Sequence, residues 1–217
     1  MAGLVPAIPL RKKMNYHLFS AYLLITLVLV VVPGPIVTLV IATGASRGIR
    51  TALMTVAGTT LGNAVLLAGI AFGLNWILKT SSEVFEVLRW IGAAYLVWLG
   101  IQAWRHVGES VETTAPRDHV YVSRGFLVAI TNPKTIAFFT AFLPQFVDPN
   151  LLAGCQLAVM CAVSVAMAAV TDAGWAIAAG AGRALFLKRA STQWLGRLSG
   201  VVLIGGGVWL SLARRSG

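Results

Sequence analysis

The chain has 217 residues, 58% of them hydrophobic and 11% charged, and a formal net charge of +10. Soluble domains carry about 25% charged residues, so this composition excludes a water-soluble globule. It fits a chain whose uncharged runs reach the roughly 20 residues that a transmembrane helix needs. The basic excess does not indicate nucleic acid, because Lys and Arg fall in the gaps between apolar runs and form no stripe with interleaved aromatics.

Met1 to Lys13 place a short apolar piece before the basic triplet Arg11-Lys12-Lys13, the reverse of the order in a secretory signal peptide. The sequence predicts a disordered or mis-called leader over 1–13 and a single membrane domain over 14–217. Helix one is expected from Leu18 to Ser46, uncharged throughout and interrupted by Pro33-Gly34-Pro35. Helix two follows from Thr51 to Leu78. Helix three runs from Val84 to Trp104, with Arg89 near its start, where a long side chain can snorkel to the interface. A polar loop over 109–123 separates half one (14–108) from half two (124–217). Helix four, Gly125 to Val147, carries Asn132-Pro133-Lys134. Helix five, Leu151 to Gly182, holds Asp172, and helix six runs from Leu195 to Ala213. The fold class is therefore all-α and integral to the membrane, with about six transmembrane helices.

Lys and Arg are biased to the cytoplasmic side of short loops. Connections 1–2, 3–4 and 5–6 hold Arg47, Arg50, Arg105, Arg117, Arg124, Arg183, Lys188, Arg189 and Arg197, whereas from Met14 on the opposite side holds Lys79, Arg89, Arg214 and Arg215. Both termini are expected outside the cytoplasm.

Three spans per half would set the halves upside down relative to each other, as in the inverted repeats of many secondary transporters. Each half opens with a helix broken by proline, at Pro33 and Pro35 in helix one and at Pro133 in helix four. A proline removes one N–H and clashes with the preceding turn, which frees carbonyls. In hydrocarbon those groups need protein, water or substrate as partners. Paired breaks therefore point to a substrate site near the bilayer midplane, although transmembrane helices also tolerate structural proline kinks.

Asp172 is the one carboxylate well inside an apolar span. Such a group should face the bundle interior or a water cavity, as a proton-coupling site, a partner for a substrate ammonium, or half of an ion pair with Lys134. Lys134 could equally attract a substrate carboxylate or mark an interface. Asn63 and Asn132 are neutral groups able to bridge helices or meet substrate, Asn132 being the better site candidate because it sits at the break. Thr38, Thr131 and Thr171 are weaker candidates.

In helix two, Gly58-x-x-x-Gly62 and Gly69-x-x-x-Gly73 share a face and read as a packing seam, within the bundle or between protomers; Gly196 and Gly200 suggest another on helix six. Tryptophans 76, 90, 104, 175, 194 and 209 lie mostly near span ends and read as interfacial anchors. Cys155 and Cys161, in one apolar run without a CxxC or Cys/His cluster, indicate neither redox nor metal chemistry. His17, His106 and His119 lie outside the spans or at their ends, so neither catalysis nor a cofactor is expected.

The blocks VVVPGPIVTLVIATGASRGIRTAL (30–53), Gly58 with Gly62 and Asn63, LRWIGAAYLVWLGIQAWR (88–105) and RGFLVAITNPKTIAFFTAFLPQFV (124–147) resemble the LysE/RhtB family of bacterial amino-acid and homoserine exporters. The resemblance covers Met14 to the C-terminus. It implies six helices, residence in the bacterial inner membrane, and proton-gradient-driven export of amino acids or related amphoteric molecules, by homodimers. The family's Pro-Gly-Pro corresponds to Pro33, Gly34 and Pro35, and its Asn-Pro-Lys to Asn132, Pro133 and Lys134. The residue after Pro-Gly-Pro is often Asn or Asp in the family and is Ile36 here, which removes a polar contact at the break. The expected mechanism is alternating access around the two breaks, with half-helix N–H groups toward a substrate carboxylate and carbonyls toward its ammonium. The rivals are a same-fold exporter of another small molecule (hydrophobic metabolite, drug or metal ion) and a non-transporting membrane assembly protein.

Overall fold

Residues 15–80, 82–105, 120–182 and 189–212 are described by a computed structural model, and among them helices dominate and no strand occurs. Helix α1, Tyr16–Val31, is capped by the Asn15 side chain, which accepts hydrogen bonds from the His17 and Leu18 N–H groups at 3.1 and 3.4 Å. It stops short of Pro33, which has no N–H to continue the ladder. Helix α2, Pro35–Arg47, restarts on a proline at its first position, where a missing N–H costs nothing. It ends at Gly48, whose φ of 90° favours glycine and lets α3, Ile49–Thr80, begin at once. Helix α4 spans Ser82–Arg105.

The second half repeats the interruption. Helix α5, Val120–Ile130, gives way at Thr131 and Asn132 to α6, Pro133–Phe142, which again starts on a proline and continues into a 3-10 turn over Leu143–Phe146. Helix α7, Ala153–Ala181, and α8, Arg189–Leu212, complete the chain. Apart from the two breaks, the six apolar runs read from the sequence are helical over most of their described residues, while the expected leader, 1–13, and most of the expected loop, 109–119, lie outside the described residues. Helix α8 begins before the expected Leu195, and the end of the expected loop, from Val120 to Ser123, is already helix because Tyr121 is buried there and the Val122 backbone packs on α3.

Two helices, α3 over Ile49–Ile77 and α7 over Ala153–Ala181, are long and apolar enough to cross a bilayer; each bent pair supplies a further span if it is read as one. The α1–α2 pair bends by 45° and the pair formed by α5 with Pro133–Phe146 by 42°. The protein is thus an all-helical membrane protein. Helix α3 packs along α5 and α7, α4 along α8 and α6, and α2 along α7. The main core gathers Tyr22, Leu96, Phe138, Phe142, Leu157 and Leu210. Outer faces carry exposed apolar side chains such as Leu24, Phe72, Val170 and Leu212, as a lipid-facing surface does.

The glycine seam on α3 divides in two. Gly58 and Gly62 let α5 approach so closely that an added Cβ would meet the Val122 carbonyl oxygen in one case and come within 2.6 Å of the Phe126 oxygen in the other. Gly69 and Gly73 face open space. Gly200 packs against Gly100 of α4, with 2.8 Å between an added Cβ and the Gly100 oxygen. One other expectation changes. Arg89 does not snorkel outward: it is buried and pairs with Glu86 at 2.7 Å. Trp209 stacks on Phe142 with ring centroids 5.4 Å apart and keeps an exposed edge.

Candidate functional site

The two proline breaks converge on one cavity of about 50 Å³ enclosed by α1, α2, α3, α6 and α7. Of the residues singled out in the sequence, Gly34, Asn63, Asn132, Lys134 and Asp172 all line it. They come from both halves of the chain. The three prolines act through the backbone and do not line the cavity: Pro33 is buried, Pro35 is exposed and Pro133 is half-buried. Ligand pockets usually measure about 300–1,000 Å³, whereas this volume suits a few water molecules.

Lys134 crosses from α6 to the end of α1. Its Nζ donates to the carbonyl oxygens of Leu29 at 2.8 Å and Val32 at 2.6 Å. In an unbroken helix the Leu29 carbonyl would accept from the N–H of residue 33; Pro33 has none, and the lysine supplies the donor from the other half. A cation at a helix C-terminus is also favoured by the aligned peptide dipoles. Lys134 is buried, and no contact within 4 Å joins it to Asp172, although the two charges still act on each other.

Asp172 projects from α7 and is 3% exposed. Its Oδ2 accepts a hydrogen bond from Thr59 Oγ1 of α3 at 3.3 Å. Asn63 lies one turn beyond Thr59 on the same face, is 4% exposed, and its Oδ1 has no hydrogen-bond partner. A buried carbonyl left unpaired costs about 1–3 kcal/mol, so Asn63 is not placed here as glue between helices. Asn132 does structural work at the second break: its Oδ1 accepts from the Lys134 N–H at 3.1 Å, capping α6, while its Nδ2 donates to Thr135 Oγ1 at 2.8 Å.

Thr59, Thr135 and Ser164 were missed in the sequence. The last two line the cavity, and Thr59 braces Asp172 from beside it. Ser164, Ala168 and Asp172 follow one another at intervals of four on α7, as do Thr55, Thr59, Asn63 and Leu67 on α3, so helical spacing from Asp172 and Asn63 was the available signal. Ser164 also contacts the Tyr22 hydroxyl, which donates to the Met160 carbonyl at 3.1 Å and ties α1 to α7. The weaker candidates fall elsewhere: Thr131 and Thr171 bond to carbonyls of their own helices at 2.7 and 2.8 Å, and Thr38 does not line the cavity.

Residues 27–214 match the family model described as "LysE type translocator". The chain is 33% identical over 205 residues to an uncharacterized membrane protein of Vibrio cholerae, covering 93% of this chain and all of that one. It is 32% identical over 167 residues to the homoserine/homoserine lactone efflux protein of Salmonella typhimurium, covering 75% and 81% of the two chains. It is 33% identical over 137 residues to the leucine efflux protein of Klebsiella pneumoniae, covering 61% and 64%. No solved structure matches.

Proposed function

Because the chain belongs to the family of LysE type translocators, and is a membrane transporter and not an enzyme, we propose that it exports amino acids or closely related small amphoteric molecules through the cavity between its two broken spans. The carrying observation is that Gly34, Asn63, Asn132, Lys134 and Asp172, drawn from both halves, line one buried space. Relatives that bear the names of homoserine and leucine efflux proteins support the substrate class.

The plan we infer is six spans in two inverted halves. Its support is the pair of similar bends and the pairing of α3 with α7 and α4 with α8, second span to second and third to third. Alternating access then consists of movement at the two breaks that opens the cavity to either side. The uncapped start of α2, where the N–H groups of Ile36 and Val37 have no intrahelical partner, takes the substrate carboxylate. Asp172 exchanges the coupling proton as the halves move. The home of the protein is the bacterial inner membrane, and the open face at Gly69 and Gly73 is where a second copy would pack in a homodimer.

Proteoliposomes loaded with labelled leucine or homoserine test the reading. Efflux that accelerates with an imposed pH gradient is expected. Folded protein that moves no amino acid with or without the gradient would return the choice to an exporter of another small molecule.

A further inference from the structure

We propose that the carbonyl oxygens of Leu29 and Val32 form a primary-ammonium site, occupied by the chain's own Lys134 while the cavity is empty and handed to the α-ammonium of the substrate when one enters. The inference rests on the transport reading for the identity of the incoming ligand, but the site itself rests on geometry.

Three observations carry it. First, both oxygens belong to the broken end of α1, where Pro33 removes the donor that Leu29 would have used and the helix does not continue past Val31. Acceptors freed at membrane depth must be satisfied, and both are satisfied by a single nitrogen at 2.8 and 2.6 Å. Second, that nitrogen is a primary amine on a carbon chain, the same group that α-amino acids other than proline carry, and it reaches the site from the opposite half, 102 and 105 residues away in sequence. Third, the lysine has an alternative. Asp172, the one carboxylate among the described residues lining the cavity, is not paired with it. An ammonium on a flexible four-carbon stem can pass between the two acceptor sets.

The exchange also answers the question of room. Lys134 Cδ lies where a Cβ on Gly34 would come within 2.9 Å of it, so the lysine stem fills the space directly beside the break. Its withdrawal toward Asp172 vacates that space and two carbonyls together. The break then offers both halves of a zwitterion their partners: carbonyls at the end of α1 for the ammonium, and the uncapped start of α2 for the carboxylate. Coupling follows directly. The lysine holds the two broken spans together only while no substrate is bound, so substrate entry releases the tie between them.

The test uses ethylammonium as a probe and tetramethylammonium, which has no N–H, as its control at matched ionic strength. Purified Lys134→Ala should unfold roughly 5 °C or more below the wild type, because two buried acceptors lose their donor. Ethylammonium, which fits the space the stem leaves, should recover much of that loss and tetramethylammonium none. In wild-type protein labelled with [15N]lysine, ethylammonium should shift the Lys134 Nζ resonance, assigned by its loss in Lys134→Arg, and tetramethylammonium should leave it in place. Equal effects of the two cations on Lys134→Ala, or an unmoved Nζ resonance at saturating ethylammonium, would overturn the proposal. The second measurement decides even if Lys134→Ala does not fold. Neither readout involves export, so proteoliposomes that move no amino acid would sink the transport reading alone.

Discussion

Gly34 and Lys134, in opposite halves of the chain, are in contact: a Cβ on Gly34 would lie 2.9 Å from Lys134 Cδ and 3.4 Å from its Nζ. The backbone at Gly34 is extended, with φ −138°, a conformation alanine adopts freely, so the glycine is required by the lysine and not by its own dihedrals. In Gly34→Ala the lysine must shift off the α1 carbonyls. The expected cost is about 1 kcal/mol of stability, read by thermal unfolding, with slower export. In a Lys134→Ala background, which removes Cδ, the same substitution should be nearly silent, and a double-mutant cycle measures that coupling.

Asp172→Asn separates coupling from folding. The carboxamide oxygen can still accept from Thr59, so the variant should purify folded. Counterflow exchange of labelled for unlabelled substrate is expected to persist, while net efflux driven by a pH gradient falls to background. Full gradient-driven efflux from this variant would remove Asp172 from the proton path.

Asn63→Ala should change binding without loss of stability. The Asn63 Oδ1 has no partner to lose, and removing a buried unpaired carbonyl recovers part of its cost of about 1–3 kcal/mol, so unfolding should occur no lower than in the wild type. If the oxygen receives a substrate donor, half-saturation for export should rise roughly tenfold, equal to about 1.4 kcal/mol. An unchanged half-saturation would show that the substrate does not touch it.

The two glycine pairs of α3 should respond in opposite ways to alanine. At Gly58 the new methyl group would run into the Val122 carbonyl of α5, and overpacking of this kind costs about 1–3 kcal/mol. At Gly73 it would meet nothing within the same copy, so the separated monomer should be equally stable or gain up to about 1 kcal/mol, while the pairing of copies through that face should weaken. Thermal unfolding of Gly58→Ala and Gly73→Ala side by side checks both. A large loss in Gly73→Ala would mean that a second copy packs on that face.

Much of the site could be read from the sequence because its makers are rare at membrane depth. Prolines, a lone carboxylate and a lone lysine stand out against apolar runs, and Pro33, Pro133, Lys134 and Asp172 were found that way. Thr59 and Ser164 were not, since single hydroxyls are common in apolar helices and only their spacing from Asn63 and Asp172 marks the face they share. The partner of Lys134 was beyond reach for a different reason. Its acceptors are main-chain oxygens, which every residue has, and which of them lie free depends on how α6 crosses the end of α1. The fate of the glycine seam was hidden likewise: Gly58 and Gly73 share a face, but α5, Val120–Ile130, is too short to cover both.

Pro33 creates the chemistry at the end of α1 by subtraction. No side chain contributes to the Leu29 acceptor; a hydrogen atom withheld from the backbone does. This inverts the usual ranking of mutational harm. Pro33→Ala, mild by size and polarity, would give Leu29 its N–H donor back, extend α1 toward the break that Gly34 and Pro35 still impose, and deprive Lys134 of an acceptor. We expect the repaired span to be the more stable structure and the poorer exporter, an improvement in folding that reads out as loss of function when efflux and unfolding are measured on the same preparation.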